Sequence, residues 1–399
     1  MRVPRRAFVK SGCMLPMAGY GGAATAAPAN IYDKLGVRTF INAVGTLTIF
    51  SGTLMPPEVT KAMEEASRHF VAIDELQAKV GQRLVELTGA EAAFVTAGAS
   101  AALCLASCAV TAGKDPAKMK RLPDLTGMKS EFIIQKVHRS VFDHAFRMVG
   151  GRLVEVETAD QVRGAINEKT AALVMVLSHN SLGHKVELDQ MIEIAHKNGL
   201  PLILDAAAEI PPPENLSKFV KMGADAVAFS GGKNLRGPQC SGILMGRKDL
   251  VEAAYVNSSP HNYFARIAKV GKEEIVGLLA AVELCLKTDY EARRREYHAM
   301  LERAAERLKS VPTVKTEFIP NLDYSHSPRL SVQWDEAHTG VTLDQMVQRL
   351  RAGRPSIEAS DMTKFRPRWQ GLGIFPYNLQ PGEEIIIAER VKQILMKAA

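Results

Sequence analysis

The sequence predicts an α/β protein: a large domain built on a mainly parallel sheet, followed by a smaller C-terminal α/β domain. Three observations predict it. Apolar runs of strand length alternate with helical patterns between residues 92 and 230, the order expected of strand–helix–strand units. Those runs are nearly continuous in Val, Ile, Leu and Ala, as in strands covered on both faces. Several end in small-residue or polar turns, and in open α/β sheets ligands gather outside the strands' C-terminal ends. With 399 residues, 43.5 kDa and 46% hydrophobic residues, the chain is long enough for both domains.

The first thirty residues read as an export signal. Arg5-Arg6-Ala7-Phe8-Val9-Lys10 precedes a modestly apolar stretch and then small residues from Ala24 to Ala29, a pattern resembling the twin-arginine type. Export to the periplasm is expected; the alternative is a basic N-terminus on a cytoplasmic protein. The apolar part is too short and glycine-rich for a membrane span. Arg2, Arg5, Arg6 and Lys10 supply four of the net +7 charges ahead of the first acid, Asp33. The remaining excess is small, and no nucleic-acid partner is expected. The five cysteines form no CxxC pair and no evident disulfide framework, and no HExxH motif or other metal site is apparent.

Residues 31–90 read as a helical N-terminal arm. A helix opens at Pro56-Pro57-Glu58 and runs to about His69. A second spans Ile73 to Thr88, with Leu76, Val80, Leu84 and Leu87 on one face and Gly89 as its stop. Residues 91–270 form the large domain. Its first strand, Ala92 to Val95, leads into Thr96-Ala97-Gly98-Ala99-Ser100 and an apolar helix. Convergent backbone N–H groups at such a turn, with no bulky side chain, make an anion site. Strands follow at Glu131–Gln135, 153–156, 171–177, 199–204 and 224–229, with helices at 160–167 and 187–198. Residues 271–399 carry a long amphipathic stretch, strand-like 314–319 and 329–334, helix 343–350, strand-like 357–359 and a last helix 383–396.

Two strand ends carry the chemistry. Ser230-Gly231-Gly232-Lys233 follows an apolar run, and an ammonium is seldom placed there without a reason. A lysine partly removed from water can be neutral and form a Schiff base with an aldehyde, of which pyridoxal 5'-phosphate (PLP) is the commonest. Asp205 ends the preceding strand, followed by Ala206-Ala207-Ala208. A carboxylate there can keep a pyridine nitrogen protonated, and the alanines leave room for a flat ring. Gly98, Ala99 and Ser100 then suit the phosphate.

The stretch from Ile41 to Lys248 resembles the family of bacterial selenocysteine synthase and D-glucosaminate-6-phosphate ammonia-lyase. The likeness rests on Asn42-Ala43-Val44-Gly45-Thr46, Gln135-Lys136-Val137-His138-Arg139 with Asp143-His144-Ala145, the Asp205 segment, and Gly231-Gly232-Lys233 with Gly237-Pro238-Gln239. The resemblance implies the aspartate-aminotransferase-like fold, fold type I, with PLP as cofactor. It implies Lys233 as the cofactor lysine and general base, Asp205 as partner of the ring nitrogen, and His138 as the side chain stacked on the ring. Ala207 and Ser230 would border the cofactor. Asn180, or His179 beside it, could reach its phenolic oxygen. A homodimer or higher homo-oligomer is implied as well.

The expected reaction is elimination of a β-substituent from a 2-amino acid, such as an amino sugar acid, giving a 2-oxo acid and ammonia. Transamination, a selenocysteine-synthase-like seryl transfer and a non-catalytic PLP-fold binding protein are the alternatives. A substrate carboxylate or phosphate calls for an arginine fork, with Arg139, Arg236, Arg266, Arg354, Arg366 and Arg368 as candidates. The family's late arginine would fall where this chain has Tyr377-Asn378-Leu379.

Overall fold

The computed structural model describes residues 30–319, 326–364 and 369–397, apart from the side chains of 179–181 and 364. The twin-arginine stretch lies outside the described residues. The chain forms two compact units, one up to Thr39 and the other Phe40–Ala399. Of the first, the helix Ile31–Leu35 is described. Asn30 caps it by accepting from Tyr32 and Asp33 N–H, and it stops at Gly36 in the left-handed region.

The second unit is organised by a seven-stranded sheet. The strands of the unit are Phe40–Asn42 (β1), Ala92–Thr96 (β2), Glu131–Gln135 (β3), Arg152–Val156 (β4), Thr170–Val176 (β5), Leu202–Asp205 (β6), Ala226–Ser230 (β7), Gly242–Gly246 (β8), Lys315–Ile319 (β9), Arg329–Gln333 (β10), Ser356–Glu358 (β11), Ser360–Asp361 (β12) and Leu372–Ile374 (β13). The large sheet has the order β2-β8-β7-β6-β5-β3-β4. From β7 to β4 every pairing is parallel, while β8 runs antiparallel to both β7 and β2. The expected mainly parallel sheet is therefore present, with one reversed strand near its edge.

Helices cover both faces. One apolar layer holds Leu84, Leu173, Leu204, Phe219, Val227 and Leu278, and the other holds Leu103, Phe132, Phe146, Val174, Ile203 and Leu244. Alternate residues of one strand enter opposite layers, as Ile203 and Leu204 do. This two-sided burial explains why the strands read as unbroken apolar runs.

The amphipathic stretch after residue 271 is two helices, Lys272–Lys287 and Tyr290–Leu308. Asp289 divides them by capping the second, its Oδ1 accepting from Ala292 N–H. Beyond them, β12-β13-β10-β9 form an antiparallel sheet, packed around Leu301, Leu330, Val332, Ile374 and Ile387. β1 pairs in parallel with β11, Ile41 opposite Ile357. The early segment thus joins the C-terminal part of the unit. Among the described residues, no helix is long and apolar enough to cross a membrane.

Candidate active site

Asp205 is the last residue of β6 and is level with Val176 of β5 and Ala228 of β7. It is 7% exposed, and its Oδ1 accepts the Ala207 N–H at 2.9 Å. Burial pushes its carboxyl pKa up, against the opposing pull of the Lys233 charge and the Ala207 N–H. Two residues beyond Ala228, Ser230 closes β7, so Lys233 follows at the same, C-terminal end of these parallel strands. The structure brings these two groups within electrostatic reach of each other.

The loop carrying Lys233 is held without side-chain volume. A Cβ on Gly231 would lie 2.1 Å from Ser241 Oγ, and one on Gly232 would lie 2.5 Å from Gln239 Cα. The two glycines therefore allow the chain to fold back against residues 238–241, where Gly231 N–H donates to Ser241 O at 2.9 Å. Thr53 Oγ1 donates to Lys233 O at 3.1 Å, tying the loop to the early segment. Lys233 is half-buried.

Gly98 begins the helix Ala99–Ala112 at φ 121°, with no side-chain cap. The first intrahelical bond runs from Ala102 N–H to Gly98 O at 3.0 Å, so the amides of Ala99, Ser100 and Ala101 have no intrahelical acceptor. Among the described residues, no atom beyond its chain neighbours lies within 4 Å of where a Gly98 Cβ would stand, and Ser100 is exposed. Such an open, uncapped helix start fits a phosphate. Gly242 of β8 lies directly against this turn: a Cβ there would come 2.5 Å from Gly98 C and 2.8 Å from Ala99 N.

His138 follows β3 and is fully buried. Its Nδ1 accepts the Val176 N–H at 3.5 Å, and its ring lies 6.3 Å from that of His184 at 25°. Accepting at Nδ1 leaves Nε2 to carry the proton in the neutral ring. Ala207 and Ser230 are half-buried at the strand ends. Asn180 belongs to the short 3-10 segment Leu177–Leu182 after β5, but its side chain lies outside the described residues, as does that of His179.

Among the candidate anchors, Arg139 is engaged by Asp143 at 2.6 Å and by Glu155. Arg354 is exposed and Arg266 half-buried, and Arg366 and Arg368 lie outside the described residues. Arg236 differs. It is a non-glycine residue at φ 58°, strained backbone of the kind found at functional sites, and its Nε donates to Leu54 O at 3.1 Å. It lines a cavity of about 330 Å³ together with Asn234, Leu235, Ser327, Tyr297 and Tyr377. That volume is within the small-molecule range. The cavity adjoins the lysine loop and does not include Asp205, Lys233 or Gly98 among its lining residues.

Residues 53–341 match the family model described as SelA, L-seryl-tRNA selenium transferase. The chain belongs to this family. It is 33% identical over 93% of its length to D-glucosaminate-6-phosphate ammonia lyase of Salmonella typhimurium, covering 99% of that protein. It is 32% identical over 92% of its length to 5'-C-glycyluridine monooxygenase-decarboxylase of a Streptomyces species, covering 92% of it. A solved structure of D-glucosaminate-6-phosphate ammonia-lyase superposes with a TM-score of 0.78, covering 93% of this chain and all of that one. Serine palmitoyltransferase from S. paucimobilis, solved with PLP and myriocin, superposes at 0.59 with 14% identity over 90% of this chain and 88% of that one, a likeness of fold alone. The fold is that of the fold-type-I PLP enzymes. Family and fold neighbours together imply pyridoxal phosphate as cofactor, and the uncapped helix start, the buried Asp205 and the glycine-held Lys233 fit it.

Proposed function

We propose that this chain is a PLP-dependent lyase that removes ammonia from a 2-amino acid bearing a β-hydroxyl, with a 2-amino sugar acid as substrate. The observation that carries the reading is the shared placement of Asp205 and Lys233 at the C-terminal ends of two neighbouring parallel strands, in a chain matching an ammonia lyase along nearly its whole length. Bound there, PLP supplies an aldehyde that an amine can capture and a ring that takes up the electron pair left at Cα. The amides of Ala99 and Ser100 at the uncapped helix start would hold its phosphate, Asp205 would hold the proton on its ring nitrogen, and His138 would flank its face. Lys233 would take the Cα proton as general base. Loss of the β-hydroxyl as water gives an enamine, and hydrolysis of its imine tautomer consumes one water. The net products are one 3-deoxy-2-oxo acid and one ammonia.

Incubation of purified protein with 2-amino sugar acids, with and without a 6-phosphate, tests this reading. Ammonia should be released with no amino acceptor present, and Lys233→Ala should lower that rate at least about 1,000-fold. A wild-type protein that forms product only when an amino acceptor is added would overturn it. The nearly equal identity to the Streptomyces enzyme favours one second reading, an oxygen-consuming decarboxylation. That reading requires oxygen uptake and carbon dioxide in place of ammonia.

The Arg5-Arg6 leader supports export of the folded, cofactor-loaded chain, and the fold type supports a homodimer. Cell fractionation and sedimentation of the purified protein test these two points. A cytoplasmic or monomeric active protein would remove them without touching the chemistry.

A further inference from the structure

The cavity beside the lysine loop holds polar groups that the fold leaves unused. Ser327 lines it, is 1% exposed, and has its Oγ buried with no hydrogen-bond partner among the described residues. A hydroxyl buried in that state is costly unless something entering the cavity completes it. The Tyr377 phenol lies near Ser327 but out of hydrogen-bond geometry, and donates instead to Pro328 O at 3.2 Å. Tyr297 also lines the cavity, and its hydroxyl has no hydrogen-bond partner among the described residues.

The same cavity contains a cation with no acid of its own. Among the described residues Arg236 forms no ion pair, and its guanidinium is engaged at Nε, by Leu54 O at 3.1 Å, which leaves the Nη donors unmet. Burial pulls its pKa down, and the Arg293 charge acts in the same sense, against Tyr297 and Glu58. Arg293 and Glu58 line the cavity too, and Arg293 meets its own acid, Glu296, at 3.7 Å. Two guanidiniums and one lining carboxylate leave positive charge in excess there. The left-handed backbone of Arg236 and its tie to Leu54 O fix the base of the fork.

We propose that this cavity binds the phosphate ester of a small hydroxylated molecule, with the Arg236 fork taking the phosphate and the Ser327 and Tyr297 hydroxyls taking its hydroxyl groups. A phosphate carries close to two negative charges at neutral pH and presents acceptors that match a guanidinium fork. Asp205, Lys233 and Gly98 do not line the cavity. What binds there is therefore an unreacting part of the substrate, its distal phosphate, or a separate regulatory phosphate ester. The anion site stands on the cavity's own residues, and its assignment to the substrate rests on the amino-sugar-acid reading.

Glycerol 3-phosphate is the probe, since it carries a phosphate and hydroxyls but no amine to react at the cofactor. Calorimetric titration of the PLP-loaded full chain, in buffer free of phosphate and sulfate, should show saturable binding. Arg236→Gly accepts the φ of 58° without strain, removes the fork and should weaken binding roughly 10- to 100-fold, the size expected for loss of a charge-assisted pair. Arg236→Lys keeps a charge and should fall between. Ser327→Ala should weaken binding about 2- to 10-fold. Competition separates the two sources. A site for the substrate's own phosphate makes the probe compete with a 2-amino sugar acid 6-phosphate, and Arg236→Gly then raises KM for that acid and not for its unphosphorylated form. A regulatory site lets probe and substrate bind together. No saturable binding to the wild type, or wild-type affinity in both folded Arg236 variants, would overturn the site. Arg236-dependent binding in a protein that releases no ammonia would sink the lyase reading and leave the site standing.

Discussion

Asp205 is held at a cost to the folded chain. A carboxylate at 7% exposure is destabilised as an anion, and its pKa is raised chiefly by burial, with Lys233 acting in the opposite sense. Below the ordinary carboxylate range both folded and unfolded chains carry the proton. As pH rises from there toward the raised folded value, the unfolded chain gives it up first, so stability falls with pH across that window. Asp205→Asn removes this dependence while preserving shape. Denaturant unfolding of the cofactor-free variant should show a gain of about 1 kcal/mol at neutral pH, vanishing near pH 3, together with weaker cofactor binding. A loss of stability at neutral pH would contradict the account. Lys233 and Asp205 are legible in the sequence because a charged group ending an apolar run is unusual in any fold. Arg236 is not, because its distinguishing property is a left-handed backbone turn against Leu54 O, and that depends on what the rest of the chain brings near it.

The strand β8 acts through what it lacks. Its first residue, Gly242, is level with Ser230 of β7 and with Thr96 of β2, so one glycine adjoins both the lysine strand and the phosphate turn. A methyl group there would meet Gly98 C at 2.5 Å and Phe229 O at 2.8 Å, both of them backbone and unable to rotate away. Gly242→Ala should therefore cost about 2–3 kcal/mol in chemical denaturation and should displace the helix start, weakening phosphate binding at least tenfold. A variant that keeps full stability and cofactor affinity would show that the turn tolerates the displacement. Elements with strong periodicity were readable: the helix Ile73–Thr88, β3 and the last helix, Glu383–Met396, have the boundaries that their patterns predict. The reversed strand β8 and the helix Lys248–Asn257 were not anticipated. A short apolar run after a glycine-rich loop has no periodicity that fixes its direction.

Across the whole unit, residues far apart in sequence close the site together. Asn378 is buried, and its Nδ2 donates to Gly45 O at 3.1 Å and to Gly52 O at 3.0 Å. Gly52 in turn packs so tightly that a Cβ on it would lie 2.5 Å from Gly232 O. One amide thus links the C-terminal part of the unit to the back of the lysine loop through the early segment. Asn378→Ala strands two carbonyls and should cost about 2 kcal/mol in denaturant unfolding, with slower ammonia release at unchanged substrate chemistry. Unaltered stability would mean that the carbonyls find other donors.

By itself the sequence determined the α/β order of strands and helices, the family, and the lysine and aspartate expected to carry the chemistry. Hydrophobic periodicity and reactive side chains are local properties, written where they act. Only the tertiary structure decided which strand runs backward, and that β1 pairs with β11. Each of those depends on contacts between segments that are distant in sequence, which come into being only when the chain closes.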